Sequence, residues 1–107
     1  MNTHELLDLH DELTLKAKDI LVTKVRNYSG DGDAYTNFRR VEDLHICSMP
    51  NGILARISDK IGRLITHCNH DGLVGDESFE DSIIDTINYL VFLHGCVTKK
   101  GDTSGRD

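Results

Sequence analysis

Large aromatic side chains are scarce in this chain: tryptophan is absent, and only 6% of the 107 residues are aromatic. The length allows one domain, and the shortage of large apolar side chains leaves that domain a modest hydrophobic core. Burial of apolar surface between copies of the chain would enlarge such a core. We therefore expect a homo-oligomer whose helices pack between protomers.

The sequence also lacks features of exported and membrane proteins. No apolar run approaches the roughly 18 residues that span a bilayer, and the first residues lack the basic start and apolar block of a signal peptide. The three cysteines are odd in number and far apart, which suits reduced thiols. A net charge of −6 disfavours binding to a nucleic-acid backbone. We expect a cytoplasmic protein with neither a membrane nor a nucleic acid as partner.

Strand-like alternation is missing as well, and apolar residues recur at helical spacing instead. This spacing predicts main helices over residues 3–27, 52–68 and about 76–97, with Thr3 as a possible cap of the first. One or two short helices could lie between the first two. The prediction is an all-α fold, a small bundle of three main helices. It would form a single domain over residues 1–97 with a disordered tail over 98–107, which contains no apolar residue.

An acidic stripe marks the third predicted helix. Glu77, Asp81 and Asp85 fall with Asn88 inside about 80° of the helical wheel, and carboxylates at this spacing repel one another. Mg²⁺ takes oxygen ligands in proteins, so these three acids, with Asp59 of the second helix, are candidate metal ligands. The alternative is that cationic side chains on a neighbouring helix neutralise these carboxylates.

The second predicted helix offers such cations, because Arg56, Lys60 and Arg63 share one of its faces. Guanidinium groups bind phosphates through two parallel hydrogen bonds. The same three side chains could instead pair with the acids of the third helix. The spacing alone leaves both interpretations open.

A polar loop predicted over residues 27–37 leads into Phe38 and Arg39. Cations for phosphate, an amide for a base edge and an aromatic ring for stacking are together the minimal set for holding a nucleotide. The candidate nucleotide-binding residues are Lys24, Tyr28, Asn37, Phe38, Arg39, Arg56, Lys60, Arg63, Asn88 and Tyr89. A polar connection whose rings pack on the core is the alternative.

Several runs resemble a known family. In order, they are residues 24–28 (Lys-Val-Arg-Asn-Tyr), 37–39 (Asn-Phe-Arg), 52–64, 76–78 (Asp-Glu-Ser) and 81–89. They are similar to the nucleotide modification associated domain of small phage and bacterial proteins, which resembles the MazG-type all-α nucleoside triphosphate pyrophosphatases. The resemblance covers about residues 9–93.

This resemblance implies a MazG-like fold and a Mg²⁺-dependent pyrophosphohydrolase of phage nucleotide metabolism, acting in the host cytoplasm. Asp59, Glu77, Asp81 and Asp85 would hold the metal, and Lys60 and Asp85 would serve the catalytic step. The alternative on the same scaffold is a non-catalytic protein that binds and sequesters a nucleotide or cyclic-nucleotide signal, as an anti-defence protein would.

The acidic motifs depart from the MazG pattern, in which one helix carries Glu-x-x-Glu and the next carries Glu-x-x-Asp. Here the corresponding spacings are Arg56-x-x-Asp59 and Ser82-x-x-Asp85. The resemblance therefore supports the fold more strongly than the catalysis.

Overall fold

The computed structural model describes residues 1–29, 35–70 and 77–99, with the side chains of 27–29 outside that description. The described chain is helical and contains no β-strand, which confirms the all-α prediction. It has four helices: α1 (Thr3–Ser29), α2 (Thr36–Asp43), α3 (Met49–Asn69) and α4 (Phe79–Thr98). The three longer helices correspond to the predicted main ones, and α2 is a fourth, short helix in the region where one or two were expected.

Reciprocal caps fix the starts of α1 and α4. Asn2, rather than Thr3, caps α1, because its side chain accepts from the Glu5 amide while the Glu5 carboxylate accepts from the Asn2 amide. Ser78 and Asp81 form the same arrangement at α4. Helix α4 thus begins later than the predicted residue 76. Glu77 precedes it and has no place on its helical wheel, contrary to the predicted stripe.

Helix α3 begins earlier than the predicted residue 52. The Ser48 side chain accepts a hydrogen bond from the Asn51 amide, and Pro50 occupies the first turn, where its missing N–H costs nothing. Gly52 in this turn lets α2 approach closely, since a Cβ there would lie 2.9 Å from Cγ2 of Val41. This close approach places α2 across one end of the bundle.

The bundle is organised around α4, which packs against both α3 and α1. Its buried cluster contains Met49 and Ile53 of α3 and Cys96 of α4, with partly buried aromatic rings around it. Within the described ranges, α1 and α3 do not pack on each other. They stand on either side of α4 as two walls, and α4 forms the floor of a groove between them.

None of the described helices is both long and apolar enough to cross a bilayer. The predicted domain over 1–97 and tail over 98–107 stay predictions, because residues 100–107 lie outside the described residues.

Candidate functional site

The groove contains a cavity of about 310 Å³ whose walls come from all four helices. Its lining residues are Leu21, Lys24 and Val25 of α1, Asn37 and Phe38 of α2, Arg56 of α3, and Asp85, Asn88, Tyr89 and Phe92 of α4. Six of the ten predicted nucleotide-binding residues are in this lining, although they come from distant parts of the sequence. The cavity therefore combines cations, amides and aromatic rings in one place.

Aromatic packing holds α2 at the end of the groove. The ring of Phe38 meets those of Phe92 and Tyr89 edge to face, with centroids 5.0 Å and 6.1 Å away. Tyr35, just before α2, donates a hydrogen bond of 3.0 Å to the Phe92 carbonyl. Asn37, two residues further on, is consequently held at the mouth of the cavity.

Asn88 ties the floor of the groove to one wall. Its side-chain amide is buried and donates to the Ala17 carbonyl of α1 at 3.0 Å. A buried amide bonded in this way fixes the rotation of α1 relative to α4. Lys24, about two turns after Ala17, is therefore directed toward the cavity.

A charged network lies beside this cavity. The Lys60 ammonium sits 2.7 Å from Glu77 and 2.9 Å from Asp85, and its side chain is only 12% exposed. Lys24 reaches the same Asp85 from α1 at 3.2 Å. The buried Ser82 hydroxyl donates a short hydrogen bond to Glu77. The network links three helices and the segment before α4.

A wider cavity of about 620 Å³ adjoins this network and continues the groove, sharing Lys24 and Asp85 with the first. Arg63, Glu77 and Asp81 also line it, so the predicted phosphate and metal residues meet here. The two cavities make one groove with an apolar, aromatic end and a charged end.

The four predicted metal ligands do not form a cation site of the expected kind. Between Glu77 and Asp85 lies the Lys60 ammonium, in the position that a shared metal would need. Asp81 accepts from the Ser78 amide in the helix cap, and Asp59 lies 66% exposed beside Arg63 on its own helix. No group of three potential metal ligands occurs in the described part of the chain. The residues present fit ion pairing better than Mg²⁺.

Of the remaining predicted residues, Arg39 and Lys60 are outside the lining of the 310 Å³ cavity, and Arg63 lines only the wider one. The side chain of Tyr28 lies outside the described residues. Ser82 and Phe92 were not predicted as part of this region. Phe92 acts through its carbonyl, which accepts from Tyr35, 57 residues earlier, and through its ring against Phe38. Ser82 acts through one bond to Glu77, five residues before it, which forms no recognisable pattern in the sequence.

The charge states of the network residues follow from their burial and hydrogen bonds. Burial opposes the charged form of Lys60, but its hydrogen bonds to Glu77 and Asp85 outweigh this effect and raise its pKa above 10.5. Burial likewise opposes the Glu77 carboxylate, yet bonds from Lys60 and Ser82 leave its pKa below 4.5. Bonds from the Ser78 backbone and side chain lower the pKa of Asp81. All three groups are charged near neutral pH.

We expect stability to fall as the pH drops below about 4.5, the usual pKa of glutamate. Because the folded-state pKa of Glu77 is depressed, its contribution is present above that value and lost as the pH falls through the folded pKa. Urea unfolding from pH 6 to pH 3 measures this slope.

The matched variant for this measurement is Glu77→Gln, which cannot titrate. Its free energy of unfolding should depend less on pH than the wild type's below pH 4.5. Equal slopes for the two proteins would show that the Lys60–Glu77 pair contributes nothing to folding.

Comparisons with protein-family models, with curated proteins and with solved structures each found no match to this chain, so the family resemblance rests on the sequence runs alone.

Proposed function

We propose that this protein binds a nucleotide in the groove between α1 and α3. The observation that carries the proposal is the content of the 310 Å³ cavity: two cations, two amides and three aromatic rings converge there from four helices. Small-molecule sites are concave, with apolar walls and a few convergent polar groups.

The charged side chains at the cavity would bind the phosphates of the ligand. Lys24 and Arg56 face the space from opposite walls, and within the described residues Arg56 forms no ion pair that would occupy its guanidinium. A phosphate between them would receive a two-pronged contact from Arg56 and a point charge from Lys24. Arg63 lines the wider cavity and could reach a longer phosphate chain.

The apolar, aromatic end of the groove would hold the base of the nucleotide. Phe38, Tyr89 and Phe92 provide ring faces and edges, and the Asn37 and Asn88 side chains lie beside them. Aromatic stacking and amide hydrogen bonds are the usual contacts to a base. Since the Asn88 amide already donates to Ala17, its carbonyl oxygen is the group offered to a ligand donor.

Binding without turnover is the function that this geometry supports best. The acids needed for magnesium are held by Lys60 and by the α4 cap. The Mg²⁺-dependent pyrophosphohydrolase stays a prediction, with Lys60 and Asp85 as its catalytic residues. Turnover of any nucleoside triphosphate in the presence of Mg²⁺ would favour that enzyme over the sequestering protein.

The test is calorimetry with ribo- and deoxynucleoside mono-, di- and triphosphates and cyclic mononucleotides, each with and without Mg²⁺. Mass spectrometry of the same mixtures detects products.

Arg56→Ala should weaken binding by about 1–3 kcal/mol, or about five- to 150-fold, because a phosphate loses its charged donor. The ligand should also slow hydrogen exchange in α2.

Arg40→Ala is the matched control, since Arg40 is an exposed arginine of α2 outside the lining of both cavities. It should leave affinity unchanged. Equal losses in the two variants would indicate non-specific attraction of anions, and no binding by any nucleotide at millimolar concentration would contradict the proposal.

A further inference from the structure

The back of the α3–α4 pair, on the side away from the groove, is mostly apolar and carries no Asp, Glu, Lys or Arg. Helix α4 has no charged residue from Thr86 to Thr98. A helix that is apolar on all sides is normally buried on all sides. Yet Leu90 and Val97 are 50% and 52% exposed.

The spacing of these side chains is that of a helix–helix seam. Ile83, Ile87, Leu90, His94 and Val97 follow one another at alternating intervals of four and three, as the contact positions of paired helices do. They fall within about 80° of the wheel, and the centre of this arc lies about 180° from that of the groove-facing residues of α4.

Helix α3 continues the same face. Leu54, Ile61 and Ile65 are 47%, 44% and 59% exposed and share a narrow arc. The centre of this arc lies about 160° from Arg56 and about 180° from Arg63, which face the groove. Both exposed seams therefore point away from the groove and lie side by side.

We infer that a second copy of this chain covers the back of α3 and α4, with the two α4 helices antiparallel and Leu90 near the two-fold axis. Antiparallel pairing about Leu90 sets Ile83 against Val97 of the other copy. It brings Ile87 close to His94. Two α3–α4 pairs stacked in this way make a four-helix core.

The size and charge of the face suit this occupant. Two helices about 30 Å long, packed about 10 Å apart, present roughly 600 Å² in projection, close to the ~800 Å² that each partner buries in a standard stable interface. Each chain carries a net charge of −6. A face without Asp, Glu, Lys or Arg adds no local repulsion to that between two acidic chains, so this face suits a second copy.

The protomer's own core gives an independent reason. Among the described residues only Ala17, Met49, Ile53, Ile84 and Cys96 are buried apolar residues. So small a core leaves a single chain marginally stable. Packing of the backs of two α3–α4 pairs would bury the exposed seam residues and so enlarge this core.

Sedimentation equilibrium and native mass spectrometry of the full chain test the inference. The wild type should have twice the 12.0 kDa of one chain at micromolar concentration. Leu90→Arg should raise the dissociation constant by about 30-fold or more, because it buries an unpaired charge in the seam. A monomeric wild type would overturn the inference.

Leu7→Arg is the matched control, as Leu7 on α1 is 59% exposed and lies off this face. It should leave the mass unchanged. Dissociation by Leu7→Arg with no effect of Leu90→Arg would move the interface to α1 and overturn the assignment.

A disulfide experiment decides the question if Leu90→Arg does not fold. In a Cys68→Ser background, which removes the exposed native thiol, Leu90→Cys should form a disulfide-linked dimer on mild oxidation. Leu7→Cys should not. Absence of the linked species from Leu90→Cys, while the protein remains folded, would contradict the antiparallel pairing.

Discussion

Replacement of Lys60 by methionine should lower the free energy of unfolding by about 3–5 kcal/mol. The methionine fills a similar volume but leaves Glu77 and Asp85 as two neighbouring carboxylates with little solvent around them. A loss of this size would lower the melting temperature by more than about 10 °C for a chain of this length. Urea unfolding at neutral pH and a fixed protein concentration measures it.

Lys24→Met is the matched control, because Lys24 pairs with the same Asp85 but is 48% exposed. An exposed pair is worth less than about 1 kcal/mol. Adding Glu77→Gln and Asp85→Asn to Lys60→Met should recover most of the loss, since the uncompensated charges are then removed.

Thermal unfolding of the wild type with and without Mg²⁺ tests whether these carboxylates bind the metal. With Lys60 between the acids, Mg²⁺ should leave the wild-type melting temperature unchanged. A clear rise of that temperature with millimolar Mg²⁺ would support metal binding by these carboxylates. A Lys60→Met variant as stable as the wild type would show that the network is solvated in solution.

Gly95→Ala should destabilise the fold by about 1–3 kcal/mol, even though alanine favours helices over glycine. A methyl group at position 95 would overlap the hydroxyl of Tyr35. The ring must then shift, and its bond to the Phe92 carbonyl is lost. Because Tyr35 leads into α2, the variant should also weaken ligand binding through Asn37 and Phe38. Thermal unfolding and calorimetry measure the two effects.

Tyr35→Phe in the Gly95→Ala background tests whether overlap with the Tyr35 hydroxyl causes the loss of stability. Removing the hydroxyl removes the overlap, so the double variant should be more stable than the sum of the two single effects predicts. Gly62→Ala is the matched control, since a Cβ there meets nothing within 4 Å. It should stabilise the helix by up to ~1 kcal/mol. Additive effects at positions 35 and 95 would contradict the proposed overlap.

Much of the helical framework could be predicted because its signals are local. Apolar spacing locates three long helices, and the predicted start of α3 at residue 52 lies three residues after the observed one. The capping box at Ser78 was overlooked, and the acidic stripe was therefore extended back to Glu77 as if it were helical. The error concerns one turn, yet it changes how Glu77 reaches Lys60: from the segment before the helix rather than from its face.

The candidate site was harder to predict in detail, since its decisive contacts join residues far apart in sequence. Lys24, Arg56 and Asn88 were chosen for their chemistry, and the fold does bring them to one cavity. Whether Glu77 and Asp85 hold a metal or a lysine depends on how far α3 and α4 are shifted along each other. The apolar spacing within a single helix does not contain this information. The contact of Tyr35 with Gly95 likewise depends on tertiary packing.

The attachment of α1 has a mechanical consequence. Its first ten residues, 3–12, are exposed, while the Asn88–Ala17 hydrogen bond holds it to α4 near its middle. Leu6 lies roughly 16 Å from Ala17 along the helix axis and Lys24 roughly 10 Å from it in the other direction. Lys16 also pairs with Glu80, and Lys24 with Asp85, so the half of α1 that lines the groove is fixed to α4 at several points and cannot turn about one of them. The exposed N-terminal turns project beyond these attachments, and contacts made there would leave the width of the groove unchanged.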